Sequence, residues 1–298
     1  MSNLTLSEFI FENYGVNINP PINKVTRFAA ADKPRSKSCW IRNFGQMAVM
    51  SNWRTNEKPL VWRSEQTSNH ISKMSQFDRK RYFAELNEQI ARTEAETAIE
   101  KQAYITEYWS ELSPITSQNP YFMRKKIQAQ PDFKQDGTNT YAAPMYNWTG
   151  KVVGVQFYTD KFKWFCKGSA PKEAFYPIRN GVPLKECEYI FLAEGMATGL
   201  SLNIMLNMLK TIGRMSTCQT LVCFSAQNVP NVIAKLQSLK FKAKIIGCAD
   251  NDAAGTTAMI NIPHFVFDGS EGWDASDAYM DNAGNAVNEL ALKLKDVL

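Results

Sequence analysis

From residue 188 onward, short apolar runs alternate with helical stretches, and acidic residues stand where several of those runs end. No other feature of the chain limits its fold as strongly. EYIFLAEG reads as an apolar strand ending in an acid and a glycine, followed by the helical MATGLSLNIMLNMLK. TLVCFS is a second strand, and NVPNVIAKLQSLK is helical with Asn228 placed as an N-cap. AKIIGCADND is a strand ending in two acids, AAGTTAMIN a short helix, HFVFD a strand and GNAVNELALKLKDVL an amphipathic closing helix. Strands alternating with helices of this length call for an α/β fold, a mostly parallel sheet with flanking helices. Ligands of such sheets bind beyond the carboxyl ends of the strands. Glu194, the pair Asp250 and Asp252, and the pair Asp274 and Asp277 therefore stand where chemistry is expected.

Five carboxylates gathered there repel one another unless a cation neutralises them. Oxygen ligands of this kind select Mg²⁺ or Mn²⁺. Acids at positions i and i+2 around a turn can both face one ion, and Gly195 and Gly255 relieve crowding where the backbone enters the next helix. A plain helix-capping role accounts for one of Asp250 and Asp252, but not for both together with Glu194. The phosphate-cradling pattern GxxxxGK[ST] is absent, which excludes a P-loop ATPase or helicase. The six cysteines have no CxxC spacing and neither histidine lies near a cysteine pair, so no zinc is expected. The same cysteine usage reads as a reduced, cytoplasmic protein. Apolar runs such as YIFLA are too short to span a membrane, and the first fifteen residues carry acids without the basic segment of a secretory signal.

Upstream, the pattern is different. LSEFIFENYG is a short amphipathic stretch, followed by RFAAA, CWIRNF, MAVMSNW and LVWRS, which read as a small antiparallel sheet. Residues 1–70 hold nine Lys/Arg against five Asp/Glu, and the cations interleave with tryptophans. Period-two alternation makes an aromatic–basic face available, suited to single-stranded nucleic acid through Arg35, Arg42, Trp53 and Arg54. Residues 76–112 lack Gly and Pro and read as one long helix or two in tandem, stopped by Ser113-Pro114. A second basic region, 121–172, has nine Lys/Arg against three Asp/Glu and contains a hairpin turning at Asn147–Gly150. Lys161, Lys163 and Lys167 cluster along it. Four segments follow: an N-terminal α+β module at 1–70, a helical connector at 71–115, a basic strand-rich subdomain at 116–187 and the α/β domain at 188–298.

The runs AEGMATG, CADNDAAG and EGWDASDAY resemble the Toprim signature, a Glu-Gly followed by Asp-x-Asp and a later acidic motif. The variant is similar to the primases of plasmids, conjugative elements and satellite phages. FGQMAVMSNWRT, NPYFMRKKI and APMYNWTGKVVGVQFYTDKFKWFCKG resemble further stretches of that family in the same order, over about residues 27–280. The resemblance implies a Toprim-type catalytic domain and synthesis of short RNA primers on single-stranded DNA. It implies Glu194, Asp250 and Asp252 as catalytic and metal-binding residues, Glu194 as ligand or acid/base, with Asp274 and Asp277 helping to hold a second ion. Lys163 and Lys167 would meet nucleotide phosphates or template, and Arg124 and Lys125 lie in the other basic motif. The implied partners are single-stranded DNA, ribonucleoside triphosphates, and a replicative helicase or initiator. This sequence departs from the family in lacking the zinc ribbon and the fused helicase, and in carrying Ser276 where Asn is usual. The same carboxylates would also serve a Toprim-type nuclease, and an accessory single-strand-binding protein is the other alternative.

Overall fold

The computed structural model describes residues 4–298 apart from 36, 53–58, 66, 68–73, 117–119 and 138. The chain divides into two units, Met1–Thr97 and Ala98–Leu298.

In the first unit, helix α1 (Leu6–Tyr14) begins at a capping box, in which Thr5 Oγ1 accepts from the Glu8 amide and Glu8 accepts from the Thr5 amide. It ends at Gly15, whose φ of +68° is left-handed and whose absent Cβ would lie 2.8 Å from Ala31 Cβ. Strands β1 (Val25–Phe28), β2 (Cys39–Asn43), β3 (Met47–Asn52) and β4 (Leu60–Arg63) form an antiparallel sheet in chain order. Phe28, Cys39, Ile41, Ala48 and Met50 pack with Ile10 of α1 and with Trp62. Trp62, although interleaved with cations in the sequence, belongs to this core side, and its indole donates to the Leu4 carbonyl at 2.9 Å. The pairs Arg27–Trp40 and Val25–Arg42 lie on the other face, with Val61 and Arg63 of β4. Helix α2 (Gln76–Glu111) crosses the division between the units.

The second unit contains two sheets. Strands β5 (Ser113–Pro114), β6 (Lys134–Asp136), β7 (Thr140–Tyr146), β8 (Val152–Tyr158) and β9 (Lys163–Phe165) are antiparallel and in chain order. One face, with Ala142, Val155 and Phe157, packs against Ile105 and Tyr108 near the end of α2. On the other, Tyr141, Met145 and Tyr158 enter a core with Phe122 of helix α3 (Pro120–Arg124) and with Met196, Leu200 and Val222. Asp132 ties this region together by accepting from Tyr146 at 2.7 Å, Tyr176 at 2.6 Å and Arg179 at 2.8 Å.

The second sheet has the order β10-β12-β11-β13-β14, from β10 (Tyr176–Pro177), β11 (Tyr189–Ala193), β12 (Cys218–Val222), β13 (Lys244–Ala249) and β14 (His264–Val266). The last four are mutually parallel, and β10 is antiparallel to β12. Helices α4 (Met196–Thr211), α7 (Ala275–Asp281) and α8 (Ala283–Val297) cover one face, where Leu202, Met205 and Leu290 meet Phe191 and Ile246. Helix α5 (Val229–Ser238) and the short α6 (Ala253–Ala258) cover the other, where Val232, Leu236 and Met259 meet Ile190 and Leu221. Asn228 precedes α5 but does not cap it, contrary to the sequence reading. A 3₁₀ turn at Ala226–Asn228 leaves its backbone already helical, at φ −91° and ψ −20°. Its side chain instead donates to the carbonyls of Ala174 at 2.7 Å and Cys223 at 2.9 Å, and accepts from the Glu173 amide at 2.8 Å.

Candidate acidic site

Glu194 follows β11 directly and precedes Gly195, the first cap of α4. Asp250 follows β13, the strand beside it. A parallel register therefore brings the two together across 56 positions of sequence, since Ala193 pairs with Cys248. Asp252 caps α6, its Oδ1 accepting from the Gly255 amide at 2.6 Å. A Cβ on Gly255 would lie 2.7 Å from the Asp250 carbonyl oxygen, so this turn closes only around a glycine. Asp274 caps α7 in a capping box with Asp277, accepting from the amides of Ser276 and Asp277 at 2.7 and 2.9 Å. Its other oxygen accepts from Thr198 Oγ1 at 2.7 Å, which ties the start of α4 to the start of α7.

Asn251, between the two aspartates, was not among the residues singled out from the sequence. Its amide donates to the Trp273 carbonyl at 2.9 Å, and its side chain donates to the Gly269 carbonyl at 3.0 Å. It thereby fixes the loop that delivers Asp274. The only sequence signal was its place inside the ADND run.

Asp250 is the electrostatic centre of the group. Burial pushes its carboxyl up to about 7, and the charges of Asp274, Glu194 and Asp252 push the same way, while Lys163 opposes them. Its Oδ1 is buried and accepts no hydrogen bond. Burial and the neighbouring carboxylates also raise the thiol of Cys248, and burial with Glu194 raises that of Cys223, so both remain protonated core residues. An orphaned carboxylate oxygen amid three further acids is the kind of charge a hard divalent cation would neutralise. Among the described residues, however, no three Asp, Glu, His or Cys side chains are gathered tightly enough to share one ion as they stand. The group is a loose acidic cluster.

The basic residues divide. Lys163, exposed on β9 opposite Tyr158, is close enough for its charge to reach Asp250. Lys167 is exposed in the turn through Gly168 that follows β9. Lys125 Nζ meets Asp277 Oδ1 at 3.5 Å, and Lys126 donates to the Met280 carbonyl at 2.9 Å, so the end of α3 is clipped onto α7. Arg124 does not join the acids. It donates to the Asp160 carbonyl at 3.0 Å, pairs with that residue's carboxylate at 3.5 Å and lies 5.6 Å from the Tyr121 ring centroid. In the first unit, Arg42 lies on the outer face of the sheet, 5.5 Å from the Phe44 ring centroid, and Arg35 is exposed in the loop after β1. Trp53 and Arg54 lie outside the described residues.

No described helix is long and apolar enough to cross a membrane. No protein-family model and no curated protein matches the sequence. Solved structures similar to it in part include the primase fragment of the bacteriophage T7 primase–helicase protein, at 14% identity over 60% of this chain and 74% of that one, with a TM-score of 0.39. The DnaG primase catalytic domain bound to single-stranded DNA is 10% identical over 68% of this chain and 80% of that one, with a TM-score of 0.42. The DnaG catalytic core is 14% identical over 51% and 53%, with a TM-score of 0.35.

Proposed function

We propose that this chain is a DNA primase, making short RNA primers on single-stranded DNA by cation-dependent nucleotidyl transfer in the replication or transfer of a mobile element. The observation that carries the reading is the buried, unpartnered Asp250 oxygen among Asp274, Glu194 and Asp252, with the charge of the exposed Lys163 reaching Asp250. An acidic cluster edged by a lysine suits a triphosphate that arrives with its cation. The Toprim-like order of the motifs adds the reaction class.

Bound Mg²⁺ or Mn²⁺ would supply positive charge at the transferring phosphorus and the leaving pyrophosphate. Glu194, Asp250 and Asp252 would hold it, with Asp274 and Asp277 helping to hold a second ion. Asp250 would take part as the carboxylate, its charge offset by the bound cation. Lys163 and Lys167 meet nucleotide phosphates or the template. A 3′-hydroxyl oxygen bonds to the α-phosphorus, the bond to pyrophosphate breaks, and the hydroxyl proton passes to the Glu194 carboxylate. The face of the first unit bearing Arg27, Trp40, Arg42 and Arg63 adds template affinity, and a replicative helicase or initiator supplies site choice.

Incubating the protein with Mg²⁺, labelled ribonucleotides and single-stranded templates, then resolving products on a denaturing gel, tests this directly. Short labelled oligoribonucleotides are expected. The looseness of the carboxylate cluster favours a second reading, an accessory protein that binds single strands without catalysis. It predicts a template shift with no incorporation, and cleavage of the template in the same gel would instead mark a nuclease.

A further inference from the structure

Strand β9 is the outermost strand of the antiparallel sheet, and all three of its residues are exposed. Three rings within four residues face water there: Phe162 at 71%, Trp164 at 44% and Phe165 at 37% exposure. Single exposed apolar residues need no explanation, but a contiguous group marks a binding surface. The register sorts the rings. Trp164 lies opposite Phe157 and stacks on it with centroids 5.4 Å apart, so it belongs to the sheet. Phe165 stands with Lys163 on the other face, across from Gln156 and Tyr158. Phe162 is presented by a tight turn, in which its carbonyl accepts from the Thr159 amide at 2.8 Å and its amide donates to Thr159 Oγ1 at 3.1 Å. Lys161, Lys163 and Lys167 are interleaved with these rings, and the one acid of the turn, Asp160, is paired with Arg124.

We propose that residues 161–167 form a stacking platform for single-stranded nucleic acid, Phe162 and Phe165 taking bases and the three lysines taking the phosphates between them. Every base offers a ring face, so such a surface binds without reading sequence. A protein partner is disfavoured because protein interfaces are depleted in lysine. That the strand is a primer template rests on the primase reading; the binding itself does not.

The test uses the full chain and a fluorescein-labelled oligothymidylate, with affinity followed by anisotropy across a salt series. Replacing Phe162 and Phe165 together by Ala, or together by Leu, is expected to weaken binding tenfold or more, whereas the pair Phe162→Trp and Phe165→Tyr keeps it. Lys161→Ala and Lys167→Ala should each lower the slope of log affinity against log salt by about 0.7. Photocrosslinking of an oligonucleotide carrying 5-iododeoxyuridine should map to Phe162 or Phe165. Unchanged affinity of the Ala pair, or a Leu pair that binds like the parent, overturns the platform. Labelled-ribonucleotide incorporation by the same preparations separates the two ideas. Weakened binding in the Phe variants of a protein that makes no primer keeps the platform and removes the primase reading, and primer synthesis with binding unaffected does the reverse.

Discussion

Replacing Asp250 by Asn should stabilise the metal-free protein, and increasingly so as pH rises. The folded state holds this carboxyl at about 7 against an ordinary value of 3.8. Between those values the folded chain binds a proton that the unfolded chain has released, so stability falls as pH rises from about 4 to about 7. At 1.36 kcal/mol per pH unit the ceiling is about 4 kcal/mol. A side chain still partly open to water retains about half of that, about 2 kcal/mol. Asn keeps the shape and removes the charge. For a unit the size of Ala98–Leu298 the gain corresponds to about 4–8 °C in Tm. The assay is thermal unfolding of both proteins in EDTA, at pH 5 and at pH 8. The variant should gain over wild type at pH 8 by clearly more than at pH 5. Added Mg²⁺ should then raise the Tm of wild type and not of the variant. Equal pH dependence in the two proteins would refute the account of Asp250 as a carboxylate held against its neighbours.

Asp252→Asn keeps an oxygen for the Gly255 amide, so it should leave Tm nearly unchanged while abolishing primer synthesis; Asp252→Ala should lose about 1 kcal/mol of capping in addition, read by denaturant unfolding. Gly255→Ala should reduce synthesis at least tenfold with a fall in stability of about 1–2 kcal/mol, because its Cβ displaces the backbone of Asp250; a fully active variant would show that this turn has room to spare. Asp132 is held below the usual carboxylate range, burial being outweighed by hydrogen bonds from Arg179, Tyr176 and Tyr146. Its stabilisation is present above the ordinary carboxylate value and is lost as pH falls through the lower folded one. Asp132→Ala should therefore cost about 2–3 kcal/mol at pH 7 and less in acid, with urea unfolding at both pH values as the check.

The alternation after residue 188 was legible because strand and helix periods differ and because its helices are separated by short apolar runs. That Glu194 and Asp250 stand at strand ends followed from that alternation, and the sheet order makes those strands neighbours. What no local pattern carries is the choice of partner across the fold. Lys125 and Arg124 are adjacent in sequence, yet one meets Asp277 and the other Asp160. Their destinations depend on which side of a five-residue helix faces the neighbouring elements. Asn228 had the residue type and place of a cap, but its side chain bonds across loops brought near only by packing. Phe162 and Phe165 were not singled out from the sequence, since alternation does not tell an edge strand from a central one.

Tyr141, Met145 and Tyr158 of the antiparallel sheet share one apolar core with Met196, Leu200 and Val222 of the α/β sheet. Hinge motion needs two bodies packed separately with a few rotatable residues between them, and a common core removes that separation. The strand bearing Lys163 and the strand ends bearing Glu194 and Asp250 thus act as a rigid gauge. Under the primase reading proposed above, no hinge between them would open to release a primer, and the growing strand would have to slide out past a fixed frame.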